Sequence, residues 1–259
     1  MNETLNLIRE RVSLRKYAPK PIDPEHLEAI MHSTMRAPTA GNMMLYSVIQ
    51  VDDQGKKDSL SETCNHPFIA EAPLMLLFLA DMQRIYDFYL AFGVPDYCQE
   101  HGLEFQTPQA SDLMMSCCDA LIAAQTSVIA AESLGIGSCY IGDIMGHCEE
   151  HQEIFQLPRW TFPIALVCYG YYPKGVKRKL NTRFDRKFVW FRDAYRHLSR
   201  TDFQDMYGEI IEKFSDLLQR KNLNLAELTY LSFTLGESAQ EEQRSVGILV
   251  DRWMNGEPS

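Results

Sequence analysis

The sequence lacks the short motifs that mark serine hydrolases and P-loop enzymes. It contains no Gly-x-Ser-x-Gly and no Gly-Lys-Ser/Thr loop, so it offers neither a recognisable nucleophile nor a nucleotide-hydrolysing loop. Its seven cysteines are odd in number and have no paired spacing, which favours reduced thiols over a disulfide framework. If this protein performs chemistry, a cofactor is expected to supply it.

Long apolar runs are also missing. Residues 1–15 are polar and charged, without an apolar stretch ahead of a cleavage site. The longest apolar region, 117–131, is interrupted by Asp119 and Gln125 and is shorter than a membrane span. The 259 residues are 46% hydrophobic and 23% charged, which is an ordinary globular composition. We therefore expect a soluble, cytoplasmic protein without a membrane partner.

Positive charge is scarce overall but concentrated in two places. The formal net charge is -10, which argues against nucleic acid as a partner. Yet 12 of the 25 Lys and Arg residues fall in two stretches: Arg9, Arg11, Arg15, Lys16 and Lys20, then Lys174, Lys177, Arg178, Lys179, Arg183, Arg186 and Lys187. Arginine forks and lysine point charges both suit phosphate oxygens. The two clusters predict a phosphorylated cofactor held between distant segments, the alternative being an ordinary charged surface.

The order of the predicted elements indicates an α+β fold. Helices are predicted from Asp23-Pro24 to about Met35, from Thr107-Pro108 to a stop at Gly135, and, beyond about residue 203, around 210–218 and 246–253. Strands are predicted at 46–52, 73–81, 138–141 and 162–172, the second of them buried on both faces. The elements do not alternate regularly, which favours α+β over a doubly wound parallel sheet.

Two further motifs are considered and set aside. The stretch from Gly135 to Gly142 has its third glycine too late for a dinucleotide-binding loop and follows a predicted helix, so we exclude a Rossmann fold. His147-Cys-Glu-Glu-His151 matches the H-x-x-E-H pattern of one zinc metallopeptidase group, with Glu150 as the base. Because no third ligand can be identified, we predict no metal site, and the peptidase is the less favoured alternative.

An aromatic-rich segment allows two interpretations. Residues 86–97 contain Tyr86, Phe88, Tyr89, Phe92 and Tyr97. Spacings of three or four residues are typical of a helix face buried in a core. The same residues could instead form a lid that stacks planar substrates, since Gly93 and Pro95 would break the helix and let it move. The sequence leaves both interpretations open.

Four stretches, taken together, resemble the nitroreductase family of FMN enzymes. They are Arg11-Val-Ser13-Leu-Arg15-Lys-Tyr17, Ala37-Pro-Thr-Ala-Gly-Asn42, the Ala131-Glu-Ser-Leu-Gly segment ending at Gly142, and Phe162-Pro-Ile-Ala-Leu-Val followed by the late basic stretch. They occur in the family's order over residues 11–180. The nearest subgroup is that of the oxygen-insensitive NADPH nitroreductases and NADPH-flavin oxidoreductases.

This resemblance implies a fold and a quaternary structure. It implies a nitroreductase-like α+β fold with a mainly antiparallel central sheet flanked by helices, in an intertwined homodimer with FMN at each of two subunit interfaces. We expect one domain over 1–259, in which 203–259 is a C-terminal helical extension that packs on the dimer.

The resemblance also implies cofactor-binding residues. Arg11, Ser13 and Arg15 match the motif at the flavin's pyrimidine edge and phosphate. Thr39, Ala40 and Asn42 match the loop that crosses to the partner subunit's flavin. Gly142 and Asp143 match the backbone near flavin N5, and Lys177 and Lys179 match the late phosphate-binding positions. No catalytic side chain is expected, because the chemistry is carried at FMN N5.

The expected function follows from this resemblance. It is hydride transfer from NADPH or NADH through FMN to quinones, nitroaromatics or free flavin. The alternative is an FMN-binding redox sensor or flavin carrier without efficient turnover. Lys179 replaces a frequent Arg, and Asp143 places a carboxylate where the subgroup often has Gly, which puts the preference for nitroaromatics in doubt.

Overall fold

The computed structural model describes residues 2–256. The chain divides into two compact units, one from its start to Arg178 together with the part from Glu241 onward, and one of Lys179–Gln240. The single domain over 1–259 stays a prediction, and residues 1 and 257–259 lie outside the described part. The helices are α1 (Glu3–Glu10), α2 (Pro24–Met35), α3 (Gln54–Thr63), α4 (Gln83–Ala91), α5 (Val94–Glu100), α6 (Ala110–Ser133), α7 (Cys148–Phe155), α8 (Arg200–Lys213), α9 (Ser215–Lys221), α10 (Leu225–Phe233) and α11 (Glu237–Asn255).

The first unit is built on a sheet in which neighbouring strands are antiparallel. Its strands are β1 (Tyr46–Gln50), β2 (Leu74–Asp81), β3 (Ile136–Ile141) and β4 (Thr161–Tyr171), in the order β1-β2-β4-β3. This arrangement confirms the predicted α+β fold with a mainly antiparallel sheet. Each predicted strand is present, and β3 begins two residues earlier than expected.

Strand β2 is buried on both faces, as its continuous apolar run predicts. Leu74, Leu76 and Phe78 pack with buried residues of α2 and α6. The alternate residues of β2 pack on the opposite side with α3 and the segment that follows it. A strand between two helical layers needs no polar face, which explains why its sequence does not alternate.

Helix α6 is the long central helix and contacts all four strands. It begins at Ala110 under a capping box between Gln109 and Asp112, so the predicted cap at Thr107-Pro108 is wrong by two residues. It ends before Gly135, whose φ of 72° is the left-handed conformation that glycine adopts easily. By length and composition this helix could cross a membrane, but its contacts are those of a core helix.

Candidate functional site

The N-terminal arm, residues 11–18, lies directly on β3 and β4. Ser13 forms a parallel bridge with Ser138, and the amide of Leu14 donates to the Ser138 carbonyl at 2.9 Å. Gly137 and Gly170 are cross-strand partners beneath the arm. A Cβ on Gly137 would lie 2.8 Å from Leu14 Cδ2, and one on Gly170 would overlap the Tyr17 ring. Two paired glycines therefore create the flat surface that positions the arm.

The arm presents polar groups that are only partly satisfied. Arg11 Nη1 is buried and has no hydrogen-bond partner within residues 2–256. Arg15 is exposed, and its guanidinium carbon lies 6.0 Å from the centre of the Phe68 ring. Ser13 is also exposed. A buried guanidinium nitrogen without an acceptor is costly, so an acceptor supplied by a ligand fits this position.

The late basic stretch contacts the end of α6 through Arg178, which was not among the predicted site residues. Arg178 Nη1 lies 2.7 Å from Glu132 Oε1. Lys177 is exposed and has no acidic partner among the described residues. Lys179 is the first residue of the second unit and is exposed. In that unit Lys187 is paired with Asp205 at 2.5 Å, so its charge is already compensated.

Gly142 and Asp143 directly follow β3, the strand that carries the arm. Gly142 has an ordinary helical φ, and a Cβ there would meet no atom within 4 Å, so the fold itself does not require glycine. Asp143 Oδ2 lies 3.3 Å from His66 Nε2, and both side chains are partly exposed. The His66 ring is 5.4 Å from the Phe68 ring, which in turn lies next to Arg15. Residues 66–68 thus connect Arg15 to Asp143.

The loop of residues 39–45 is organised by Asp119 of α6. The Thr39 hydroxyl donates to Asp119 Oδ2, the Ala40 amide donates to Oδ1 at 3.1 Å, and the Leu45 amide donates to Oδ2 at 3.1 Å. Gly41, Asn42 and Met44 have φ between 52° and 58°, a left-handed conformation that costs energy for the two non-glycine residues. Asn42 is exposed at the tip of the loop.

The predicted site residues fall into two groups within one chain. Asp119 holds the 39–45 loop, whereas Glu132 lies beside Tyr172, Arg178 and Arg11. These two acids are 13 residues apart on α6, which corresponds to about 20 Å along a helix rising 1.5 Å per residue. The arm lies on β3 and Gly142 and Asp143 follow it, whereas the 39–45 loop leads into β1 at the other edge of the sheet.

The stretch from His147 to His151 does not assemble a metal site. His151 is fully buried, with Nε2 2.8 Å from the Thr63 hydroxyl and Nδ1 3.0 Å from the Ile144 carbonyl. His147 is exposed. Within residues 2–256, no group of three His, Cys, Asp or Glu side chains is placed to hold a metal ion. His151 has both ring nitrogens engaged and acts as a core residue.

The aromatic-rich segment divides between core and surface. Tyr86 packs on Trp160 with ring centres 4.0 Å apart, as the core interpretation requires. Phe88, Phe92 and Tyr97 are 54%, 75% and 55% exposed. Gly93, with φ 70°, separates α4 from α5, so the predicted break is confirmed. Of the five aromatic residues in this segment, only Tyr86 fits the interpretation as a buried helix face.

Sequence reasoning missed Glu132, Arg178, His66 and Asp119 as organising residues. Two of them carried a signal, since Asp119 interrupts the apolar stretch of α6 and Arg178 belongs to the late basic stretch. The others act through partners distant in sequence, which spacing does not reveal. Among residues 2–256, Arg11 Nη1 has no acceptor and Arg15 and Lys177 have no acidic partner, and together with the open space at Gly142 they fit the FMN expected from the resemblance.

Comparison with known proteins adds independent findings. The model of the family described as "Nitroreductase family" matches residues 8–171. A Bacillus subtilis relative named FMN reductase [NAD(P)H] is 32% identical over 179 residues, 66% of each chain. A Staphylococcus saprophyticus NADPH-dependent oxidoreductase is 27% identical over 165 residues, 64% of this chain and 63% of its own. The matches therefore span just under two thirds of these relatives. The solved structure of B. megaterium NfrA2 has a TM-score of 0.73 at 26% identity, covering 95% of this chain and 98% of that one.

Proposed function

The chain belongs to the nitroreductase family, and we propose that it is an FMN-dependent oxidoreductase that uses NADPH or NADH to reduce small planar acceptors. Quinones, nitroaromatics and free flavin are the acceptor classes. The name of the Bacillus subtilis relative, an FMN reductase that uses NAD(P)H, supports both the flavin and the nicotinamide. The family match also confirms the resemblance found in the four sequence stretches.

The observation that carries this proposal is the buried Nη1 of Arg11 beside β3, which has no hydrogen-bond partner in the described part of the chain. Arg11 and the Ser13 hydroxyl supply donors for the pyrimidine edge of FMN. Arg15, Lys177 and Lys179 supply positive charge for its phosphate, and Arg15 and Lys177 have no acidic partner in the described chain. Such charge-assisted bonds to phosphate are about twice as strong as neutral ones.

The protein's contribution to the reaction is positioning and electrostatics. Bound FMN would supply the hydride-transfer chemistry at its N5 atom. Gly142 leaves room at the end of β3 for a large ring. Asp143 brings a negative charge to the same place, and His66 stands 3.3 Å away to offset it when protonated. No dedicated acid or base is required, because hydride transfer depends on orientation.

We assign the 39–45 loop, with Thr39, Ala40 and Asn42, to the flavin site of a partner subunit in a homodimer. The loop leads into β1 and the arm lies on β3, which are the two edge strands of the sheet, and this placement supports the assignment. Helix α6 also presents an apolar face to solvent, with Met114, Met115, Leu121 and Ile122 at 41–65% exposure. Such a face supports contact with a second copy.

The cytoplasm is the proposed location.

Anaerobic reduction tests the proposed activity against the alternative of a sensor or carrier. The purified protein should be yellow with an FMN absorbance spectrum. Adding NADPH or NADH under argon should bleach the flavin within seconds, and a quinone should restore the colour. A bound flavin that neither nucleotide reduces would leave only the binding role, and a protein that does not retain added FMN would contradict the proposal altogether.

Arg15→Ala tests the assigned cofactor site. Loss of one charge-assisted contact to phosphate should weaken FMN binding by about 1.5–3 kcal/mol. The dissociation constant is measured by the quenching of FMN fluorescence. Arg9→Ala is the matched control, because it removes an exposed arginine of α1 that is not assigned to the site. Equal affinities in wild type and Arg15→Ala would refute the role of Arg15.

A further inference from the structure

A buried carboxylate lies where the N-terminal arm and the late basic stretch meet. Glu132 is in the last turn of α6, and its side chain is 1% exposed. Arg178 Nη1 is 2.7 Å from Oε1, and the Tyr172 hydroxyl is 3.1 Å and 3.0 Å from the two carboxylate oxygens. The charge of Arg11 acts on the same carboxyl. One acid thus lies beside cations from two segments that are far apart in the sequence.

A contribution to folding stability does not explain why Glu132 is an acid. Burial raises the pKa of Glu132, and Arg178, Tyr172 and Arg11 offset this rise only in part. Removing a carboxylate from water costs free energy that an ion pair does not fully return, and an apolar replacement is often neutral or stabilising. A buried acid with such partners is better explained by what it orients.

The partners of Glu132 are fixed to the sheet. The Arg178 guanidinium carbon lies 4.2 Å from the centre of the Tyr172 ring. That ring covers Gly137, where a Cβ would be 2.7 Å from Tyr172 Cζ. Arg178 is thereby immobilised between an acid and an aromatic ring, and Lys177, its neighbour in the chain, is held at the same end of α6. Arg11 Nη1 nearby remains buried without a partner.

We propose that Glu132 is a positioning residue of the cofactor site, which anchors Arg178 so that its neighbour Lys177 is directed at the phosphate of FMN. This inference rests on the proposed function, since it concerns how FMN is held. Glu132 itself has no part in binding the flavin ring. Its effect should therefore depend on the phosphate, and riboflavin, which is FMN without the phosphate, separates the two contributions.

Glu132→Gln is the decisive variant. The amide preserves the size of the side chain and can still bond to Tyr172, but it loses the charge that holds Arg178. We expect the dissociation constant of FMN to rise about tenfold, and that of riboflavin to change by less than about twofold. Both constants are measured by flavin fluorescence. In an Arg178→Ala background the same substitution should have no further effect on FMN, because both changes break one interaction.

Asp23→Asn is the matched control. Asp23 also accepts a bond from a tyrosine hydroxyl, that of Tyr171 at 2.9 Å, and pairs with a lysine, Lys20, at 2.7 Å. It contacts neither Arg11 nor Arg178. We expect both flavin affinities to remain at the wild-type value. If Glu132→Gln fails to fold, Tyr172→Phe replaces it, since it removes only the hydroxyl bond and should raise the FMN constant about threefold without affecting riboflavin.

Three outcomes would overturn the positioning role. Equal weakening of FMN and riboflavin would indicate general structural support. An unchanged or stronger FMN affinity in Glu132→Gln would show that the acid only competes with phosphate for the cations. An FMN loss that adds fully to that of Arg178→Ala would separate the two residues. These results all require a wild-type protein that binds FMN, whereas a wild type that does not bind FMN contradicts the proposed function itself.

Discussion

Asp119 illustrates how a single buried side chain can arrange a whole loop. Its two oxygens accept bonds from the Thr39 hydroxyl and from the amides of Ala40 and Leu45. The loop has three residues in the left-handed conformation, so these bonds offset backbone strain as well as satisfying buried amides. Asp119 therefore stabilises the conformation of the loop that we assign to the partner subunit's flavin.

Asp119→Ala is expected to lower the free energy of unfolding by about 3 kcal/mol, because it leaves buried donors without an acceptor. Asp119→Asn keeps one oxygen and should cost about 1 kcal/mol. Urea unfolding measures both. The control is Gln125→Ala, at the other polar interruption of α6, which is exposed and should change stability by less than about 0.5 kcal/mol. Equal effects at positions 119 and 125 would contradict this account.

His151 makes stability depend on pH. Burial lowers the pKa of His151, with opposing effects from Glu150 and the Ile144 carbonyl. The unfolded state therefore binds a proton more readily than the folded state, and stability falls as pH drops below about 6.5. His151→Gln should lose this part of the acid sensitivity, seen by comparing urea unfolding at pH 7 and pH 5. His147→Gln, at an exposed position, should retain it; identical pH profiles for wild type and His151→Gln would reject the assignment.

At the level of helices and strands, sequence patterns predicted the features that depend on neighbouring residues alone. The buried run of β2 and the stop of α6 at Gly135 follow from burial and backbone conformation, and both were predicted. The start of α6 was wrongly predicted at Thr107-Pro108, because the capping box between Gln109 and Asp112 cannot be read from composition. At the candidate site, the arm and the 39–45 loop were selected through a resemblance. Arg178 was part of the predicted basic stretch, but its pairing with Glu132, like the contact of His66 with Asp143, joins distant segments and could not be predicted from spacing.

Helices α4 and α5 carry the exposed aromatic side chains that we propose as a lid over planar substrates. Tyr97→Ala should raise KM for quinones several-fold while shifting stability by less than about 0.5 kcal/mol, because Tyr97 is 55% exposed. Tyr86→Ala serves as the contrast. It removes a ring packed on Trp160, so it should cost about 2 kcal/mol with little change in KM. If Tyr97→Ala lowers thermal stability and leaves KM unaltered, the proposed lid is wrong.

For the whole molecule, the exposed face of α6 is the place to test the dimer. Leu121→Lys should produce a monomer in light scattering and weaken FMN binding, since the site is proposed to be completed across the interface. Val48→Lys puts the same charge at an exposed apolar position of β1 and should remain dimeric. A Leu121→Lys monomer that binds FMN normally would show that one subunit suffices.

The two paired glycines beneath the N-terminal arm also set an order of events in folding. Residues 11–18 are synthesised before β3 and β4, yet the surface that receives Leu14 and Tyr17 exists only after these two strands have paired. The arm therefore docks late, although it is made before the strands that receive it. If a newly synthesised chain retains flavin, β3 and β4 have therefore already paired. A chain that has only collapsed, without this pairing, should not retain it.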